Sequence, residues 1–306
     1  MALTFRQVRY FIATAEVGKV SLAAANLNVS QSAITSAIKA LEDELGSRLF
    51  ERKSNGVSLT YEGHQFLQHA HNIVAAVSEA TRAPRRTSEN VTGTIDVGVT
   101  YTVAGYFLPP ILARFMRAFP NVTVSLNEGE REQIEQKIVS DQLDLAVLLV
   151  SNLVNGTEID AEVLIQSRRR LWACADHHLI SRATISLADV AQEPYVMLTV
   201  DEANITALRY WTKTSYRPRI VFSTSSVEAV RSMVATGMGV TILSDMVYRP
   251  WSLEGQRIDV KNLSDGVPTM DVGLAWRRGA ILSPAAEAFR DYLRLAFTGS
   301  GPSYLT

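Results

Sequence analysis

"NVSQSAITSAIKALEDELG", residues 28–46, reads as a helix with a polar front and an apolar back. Ile34, Ile38, Leu41 and Leu45 recur at i, i+4, i+7 and i+11, the spacing of one buried helical face. Ser30 is a good N-cap, because a short hydroxyl side chain accepts from the unpaired N–H groups of the first turn. Gly46 stands where a left-handed C-terminal residue belongs. Gln31, Thr35 and Lys39 share the opposite face, with Ser32 and Ser36 beside them. Glu42, Asp43 and Glu44 crowd the far end, and Glu42 continues the Thr35 face.

Upstream, Phe5, Val8, Phe11, Ile12 and Ala15 form a second helical stripe that Gly18 ends. Ser21 is expected to cap a short helix, "LAAANL", packed through Leu22, Ala25 and Leu27. A tight turn at Asn28-Val29 then joins two short helices, which is a helix-turn-helix. Downstream, Asn55-Gly56 inside "RLFERKSNGVSLT" is a hairpin signal and adds a wing. In that motif the second helix enters the DNA major groove with its N-terminal end leading. Small side chains allow close approach, and Gln pairs bidentately with adenine. The candidates for contact with double-stranded operator DNA are therefore Ser30, Gln31, Ser32, Thr35, Ser36 and Lys39 on the helix. Arg52 and Lys53, with Arg48, are expected to reach the phosphate backbone. Glu42 would be repelled by phosphate if the helix lay flat, so the acids must tilt away. An ordinary three-helix bundle with a solvated polar face fits the same periodicity.

A long helix is expected over roughly 60–81, with a seam of Leu67, Ala70, Val74 and Val77 that reads as a dimer interface. "TRAPRRTSEN", 81–90, is a polar linker. Beyond it, "GTIDVGVT", "NVTVSLNE" and "LDLAVLLV" alternate with helical segments, and a second such round follows. That alternation predicts an α/β sheet with mostly parallel strands.

The 306 residues suffice for two or three domains. Residues 1–90 hold 10 Lys+Arg against 8 Asp+Glu, and residues 91–306 hold 20 against 23, so bulk charge advertises no partner. One cysteine, Cys174, excludes an internal disulfide and fits a reducing, cytoplasmic location. No signal peptide or membrane-spanning run is expected.

"FRQVRYFIATAEVGKVSLAAANLNVSQSAITSAIKALEDELGSRLFERKSNGVSLTYEG" resembles the N-terminal module of LysR-type transcriptional regulators. The shared elements are the aromatic-rich first helix, "S-x-A-A-x-x-L", "SQSAIT-x-x-I-x-x-LE-x-x-LG", "LFER" and "LT-x-x-G", and the likeness runs on to about residue 297. It departs at Ser32, Ser36 and Asn55, where the family usually has Pro, Arg and Arg. The resemblance implies an α+β multidomain chain: an N-terminal winged helix-turn-helix, a long linker helix, and a C-terminal two-lobed α/β effector domain like periplasmic binding proteins. The expected limits are 1–58, 59–90 and 91–306, with lobe I about 91–165 plus 268–300 and lobe II about 166–267. It also implies a homo-oligomer, a dimer of dimers, with RNA polymerase as a further partner.

In open α/β sheets ligands sit beyond the carboxyl ends of strands. "TIDVGVT" ends at Thr100, so Thr100, Tyr101 and Thr102 are candidate effector contacts, and the resemblance adds Glu128, Leu149 and Thr199. No Arg or Lys lies in 98–106 or 126–130, while Glu128, Asp201 and Glu202 are acidic. A neutral, aromatic or monocarboxylate effector is expected. Ser225-x-x-Glu228 reads as a capping box. "GMGVTI" lacks the spacing of a dinucleotide fingerprint, and "SAIK" is a Ser-x-x-Lys pair without a pocket. "CADHH", 174–178, brings thiolate, carboxylate and imidazoles together, but ligands so adjacent do not all turn to one ion without a special loop. No metal, cofactor or catalytic set is expected. A small-molecule-binding enzyme, or a solute-binding protein with a helical appendage, is the rival class.

Overall fold

The computed structural model describes residues 3–53, 56–82 and 90–297. The chain divides into two compact units, Met1–Arg86 and Thr87–Leu305.

The first unit opens with α1 (Phe5–Val17), capped by Thr4 and Gln7 in a reciprocal capping box. Gly18 ends it in the left-handed region, at φ 65°. Then come α2 (Val20–Leu27) and α3 (Gln31–Leu45). The wing is an antiparallel pair, β1 (Phe50–Lys53) and β2 (Gly56–Leu59), and α4 (Tyr61–Arg82) follows. The wing is fixed to the end of α1: Val57 N–H donates to Gly18 O at 2.8 Å. A Cβ on Gly56 would lie 2.2 Å from that same carbonyl, so only glycine fits there. Asn55 lies outside the described residues.

Val8, Phe11, Leu41, Leu49, Leu59, Leu67 and Ala70 form the core of this unit. Three local expectations fail. Leu45 is exposed, because Leu49, just after the turn, fills the core in its place. The short helix starts at Val20, with Lys19 as its extended N-cap and no side-chain cap, so Ser21 caps nothing. That helix packs through Ala23 and Ala24 against Ile34 and Ile38, leaving Leu22 on the surface, since two alanines let the helices approach closely.

The seam of α4 also changes meaning. Leu67 and Ala70 are buried in the chain's own core, and neighbouring Phe66 stacks edge-on against Phe11 at 5.0 Å. Val74, half-buried, packs against the same core, and Val77 is exposed.

The second unit begins with β3 (Gly93–Val99), α5 (Tyr101–Tyr106), α6 (Pro109–Ala118), β4 (Val122–Glu128), α7 (Arg131–Val139), β5 (Leu145–Leu149) and β6 (Ile159–Ser167). It continues with β7 (Arg169–Cys174), α8 (His178–Ser181), α9 (Leu187–Val190), β8 (Pro194–Leu198), α10 (Ala203–Trp211), β9 (Arg219–Thr224), α11 (Val227–Ala235), β10 (Thr241–Ser244) and β11 (Ile258–Lys261). It closes with β12 (Met270–Arg277) and α12 (Pro284–Phe297). One sheet has the order β4-β3-β5-β12-β6, and the other lobe carries β10-β7-β11 and the pair β8-β9.

The strands are mixed rather than mostly parallel. β3 is parallel to β4 and β5, whereas β12 is antiparallel to β5 and β6. β6 carries the chain out of the first lobe and β12 brings it back, so the two run in opposite directions. The loops after β3 and β8 therefore meet, which positions the site described below.

Candidate functional site

The polar face of α3 is built locally. Ser30 Oγ accepts from Ala33 N–H at 3.2 Å and lies 3.0 Å from Ser32 Oγ. The Thr35 hydroxyl donates to Gln31 O at 2.9 Å, leaving its lone pairs and methyl outward. Gln31, Ser32, Thr35, Ser36 and Lys39 are all exposed, as is Arg52 on the wing. The Lys53 side chain lies outside what is described. Glu42 does tilt away: its carboxylate accepts from Leu49 N–H at 2.7 Å and Phe50 N–H at 3.1 Å, starting β1 rather than facing outward. On α1, burial pushes the Glu16 carboxyl up to about 7.

In the second unit Thr100 occupies the N-cap position of α5 in extended conformation, and its buried hydroxyl makes no hydrogen bond among the described residues. Thr102, also buried, donates its backbone N–H to Asp201 Oδ2 at 2.7 Å, and its hydroxyl donates to the same oxygen. Asp201 and the next residue, Glu202, are both left-handed, at φ 49° and 61°. Such backbone costs roughly 1–3 kcal/mol per residue and persists only where the surroundings hold it. Two further contacts hold it here. Asn152 Nδ2 donates to Asp201 O at 3.0 Å, and Arg131 Nε donates to Glu202 Oε1 at 2.8 Å. Arg131 also donates to Glu135 at 2.7 Å, and the bonds to both glutamates raise its pKa and keep it charged.

A second clasp lies nearby. Tyr106 Oη donates to Glu228 Oε1 at 2.8 Å, and Glu228 pairs with Arg231. Burial first, and then Glu228, push the Tyr106 phenol up to about 12. Glu228 is thus no capping-box partner. Ser226, not Ser225, caps α11 by accepting from Ala229 N–H at 3.1 Å.

Beside the Thr102–Asp201 contact lies a cavity of about 30 Å³, lined by Thr102, Leu149, Asn152, Arg169, Asp201 and Tyr210 among others. That is room for one or two water molecules. Thr102 and Leu149 line it; Tyr101 and Glu128 are solvent-exposed, and Thr199 donates its N–H to Thr224 O at 2.9 Å. The residue that meets Thr102 from the other lobe is Asp201. Sequence reasoning noted Asp201 only as negative charge, missed Asn152, and missed Arg131 by one position beyond the window searched. It also missed Arg169, which lines the cavity and donates to Pro268 O and Thr269 O at 2.6 Å each.

The "CADHH" histidines do converge with a carboxylate, from a distant position. His178 Nε2 lies 3.2 Å and His177 Nε2 3.6 Å from the Glu193 carboxylate, with the two rings stacked. His177 Nδ1 accepts from Leu179 N–H at 3.2 Å, so the neutral ring carries its proton on Nε2, toward Glu193. The ligand atoms of His177, His178 and Glu193 lie within 4.8 Å of one another, close enough for the three to hold a metal ion. Cys174 is half-buried, and burial pushes its thiol up, away from the reactive thiolate. No helix among the described residues is long and apolar enough to cross a membrane.

Known proteins share both units. Residues 5–64 match the bacterial regulatory helix-turn-helix protein, lysR family, and residues 88–298 match the LysR substrate binding domain. The chain is 31% identical to the HTH-type transcriptional regulator YwqM of Bacillus subtilis, over 96% of this chain and all of that protein. It is 29% identical to the DNA-binding transcriptional dual regulator OxyR of Escherichia coli, over 97% of each. Its fold matches the crystal structure of HinK, a LysR family transcriptional regulator from Pseudomonas aeruginosa, with a TM-score of 0.62 and 30% identity, over 96% of this chain and 98% of that one. With an exposed polar recognition helix at one end and a two-lobed α/β domain matching the LysR substrate-binding domain at the other, this chain belongs to the LysR family of helix-turn-helix transcriptional regulators.

Proposed function

We propose that α3 reads operator bases through Gln31, Ser32, Thr35, Ser36 and Lys39, with Ser30 setting its N-terminus and Arg52 and Lys53 holding the backbone. One observation carries this reading: the whole row of α3 is exposed while Glu42, the acid on the same face, is bound to the backbone of its own chain. The effector enters between the lobes at Thr100, Tyr101, Thr102 and Leu149, with Glu128 and Thr199 at the margins. The domain limits follow the same division: DNA-binding over 1–58, linker over 59–90, effector domain over 91–306.

The regulator works in the cytoplasm as a homo-oligomer, a dimer of dimers, in contact with RNA polymerase. Supporting the oligomer, Ile220, Val221 and Phe222 lie exposed in a row on β9, whose only strand neighbour among the described residues is β8. The experiment is an operator-binding titration across salt for Gln31→Ala and Arg52→Ala. Loss of discrimination against random DNA in the first, and a lower salt slope in the second, are expected. Identical behaviour of the two variants rejects the assignment. For the effector, a thermal-shift screen of small acids and aromatics is followed by titration of Thr100→Val and Thr102→Val. Losing one hydroxyl contact weakens binding by about tenfold at most.

A further inference from the structure

The cleft is closed by the chain's own acid. The carboxylate of Asp201 takes both donors of Thr102, the backbone N–H and the hydroxyl, across a sequence separation of 99 residues. A carboxylate accepting from an N–H and an O–H is how a bound carboxylic acid would be held, and the Asp201 side chain is in effect a tethered acetate. Its hold has weak points. Asp201 and Glu202 sit in a backbone region that L-residues rarely adopt. The turn stays there through Thr102, Asn152 and Arg131, all in the segment before β7. Thr100, at the same strand end, keeps a buried hydroxyl that Asp201 does not engage. The space beside this contact, about 30 Å³, is too small for any effector larger than water.

The geometry points to Asp201 as a resident competitor for the effector: the effector is a carboxylic acid whose carboxylate takes Thr102 from Asp201. The exchange frees the Asp201–Glu202 turn from Asn152 and Arg131, and so opens the lobes. This rests on the reading that the effector binds at Thr100 and Thr102. Because one carboxylate replaces another, the hydrogen bonds at Thr102 are conserved and the exchange is not blocked by an unpaired donor. The closed turn still lowers apparent affinity, by the fraction of protein in which Thr102 is free. Removing the Asp201 side chain therefore creates a vacancy that a free carboxylate fills.

The test uses the full chain and acetate, compared with chloride at equal ionic strength. Asp201→Ala is expected to bind acetate at least about tenfold more tightly than wild type. Its unfolding temperature should rise by about 3–5 °C once acetate exceeds its Kd tenfold. The double variant Asp201→Ala/Thr102→Val should lose that gain. Equal acetate responses in wild type and Asp201→Ala overturn the proposal, as does a gain that survives in the double variant. If Asp201→Ala does not fold, Asp201→Asn keeps the shape and one acceptor while losing the charge; it is expected to show part of the gain, and no gain overturns the proposal. Failure of the underlying reading looks different. A screened effector that ignores both Thr100→Val and Thr102→Val removes the effector from this cleft, and with it the assigned ligand class, whatever acetate does in Asp201→Ala.

Discussion

On α3, Glu42 turns back onto the N–H groups of Leu49 and Phe50, a few residues away, and the bases of the groove would find the helix face unobstructed. In the cleft, Asp201 reaches across to Thr102 and occupies the donors that a ligand would use. Both are single carboxylates satisfying backbone N–H groups. One clears the proposed DNA-reading face and the other fills the proposed effector site. The difference lies in where the accepting acid comes from. A local acid can be spent on folding without touching the site, whereas an acid from another lobe ties the site's occupancy to the arrangement of the lobes.

The comparison breaks most visibly in the core. Leu41→Ala opens a cavity beneath α3, at a position with no exposed surface, and is expected to lose roughly 2–5 kcal/mol in the first unit. Calorimetry of the full chain should show only the transition of that unit moving. A common shift of all transitions would mean that the two units do not unfold separately.

Next in size, Arg131→Ala removes a charged partner from Glu202 and from the buried Glu135, an effect of roughly 1.5–3 kcal/mol. The exposed pair Arg278–Asp160 serves as the control, and Arg278→Ala should change stability by about 0–1 kcal/mol. Equal effects in urea titrations would show that the contact to Glu202 does not hold the turn.

On the DNA side, Thr35→Ala should reduce operator discrimination by about 1–3 kcal/mol if Thr35 reads a base, and leave random-DNA binding unchanged. Competition binding at fixed salt measures it.

The smallest effect concerns pH. Glu16 is protonated in the folded unit up to about 7, whereas unfolded it ionises near 4.5. Between those values the folded state holds more protons than the unfolded state. Its contribution is therefore fully present below about 4.5 and lost as pH rises through about 7. Glu16→Gln should flatten that part of the thermal-stability profile and stabilise the first unit at pH 8. An unchanged profile would mean that Glu16 is solvated.

Much of the first unit was legible because its signals are local. Ser30, Gly18 and Gly46 cap helices through groups within four residues, and Ile34, Ile38 and Leu41 announce their face by spacing alone. The errors are also instructive. Periodicity assigned Leu22 and Leu45 to the core, yet alanines and Leu49 took those places, because the fit between helices decides which apolar residue is covered. Leu67 and Ala70 carry the right spacing for a partner helix, but spacing does not say whose helix, and α1 of the same chain claims them.

The sequence by itself determined the helix-turn-helix, its wing and the family, and it singled out Thr102, which the structure places at the contact between the lobes. Caps, turns and hydrophobic repeats operate over a few residues, and the family pattern is written in their order. Only the tertiary structure decided what stands in that cleft. Whether Asp201 is a solvated acid or the occupant of Thr102's donors depends on two loops far apart in the chain meeting at 2.7 Å, on Arg131 and Asn152 pinning the turn, and on a left-handed backbone that propensity disfavours.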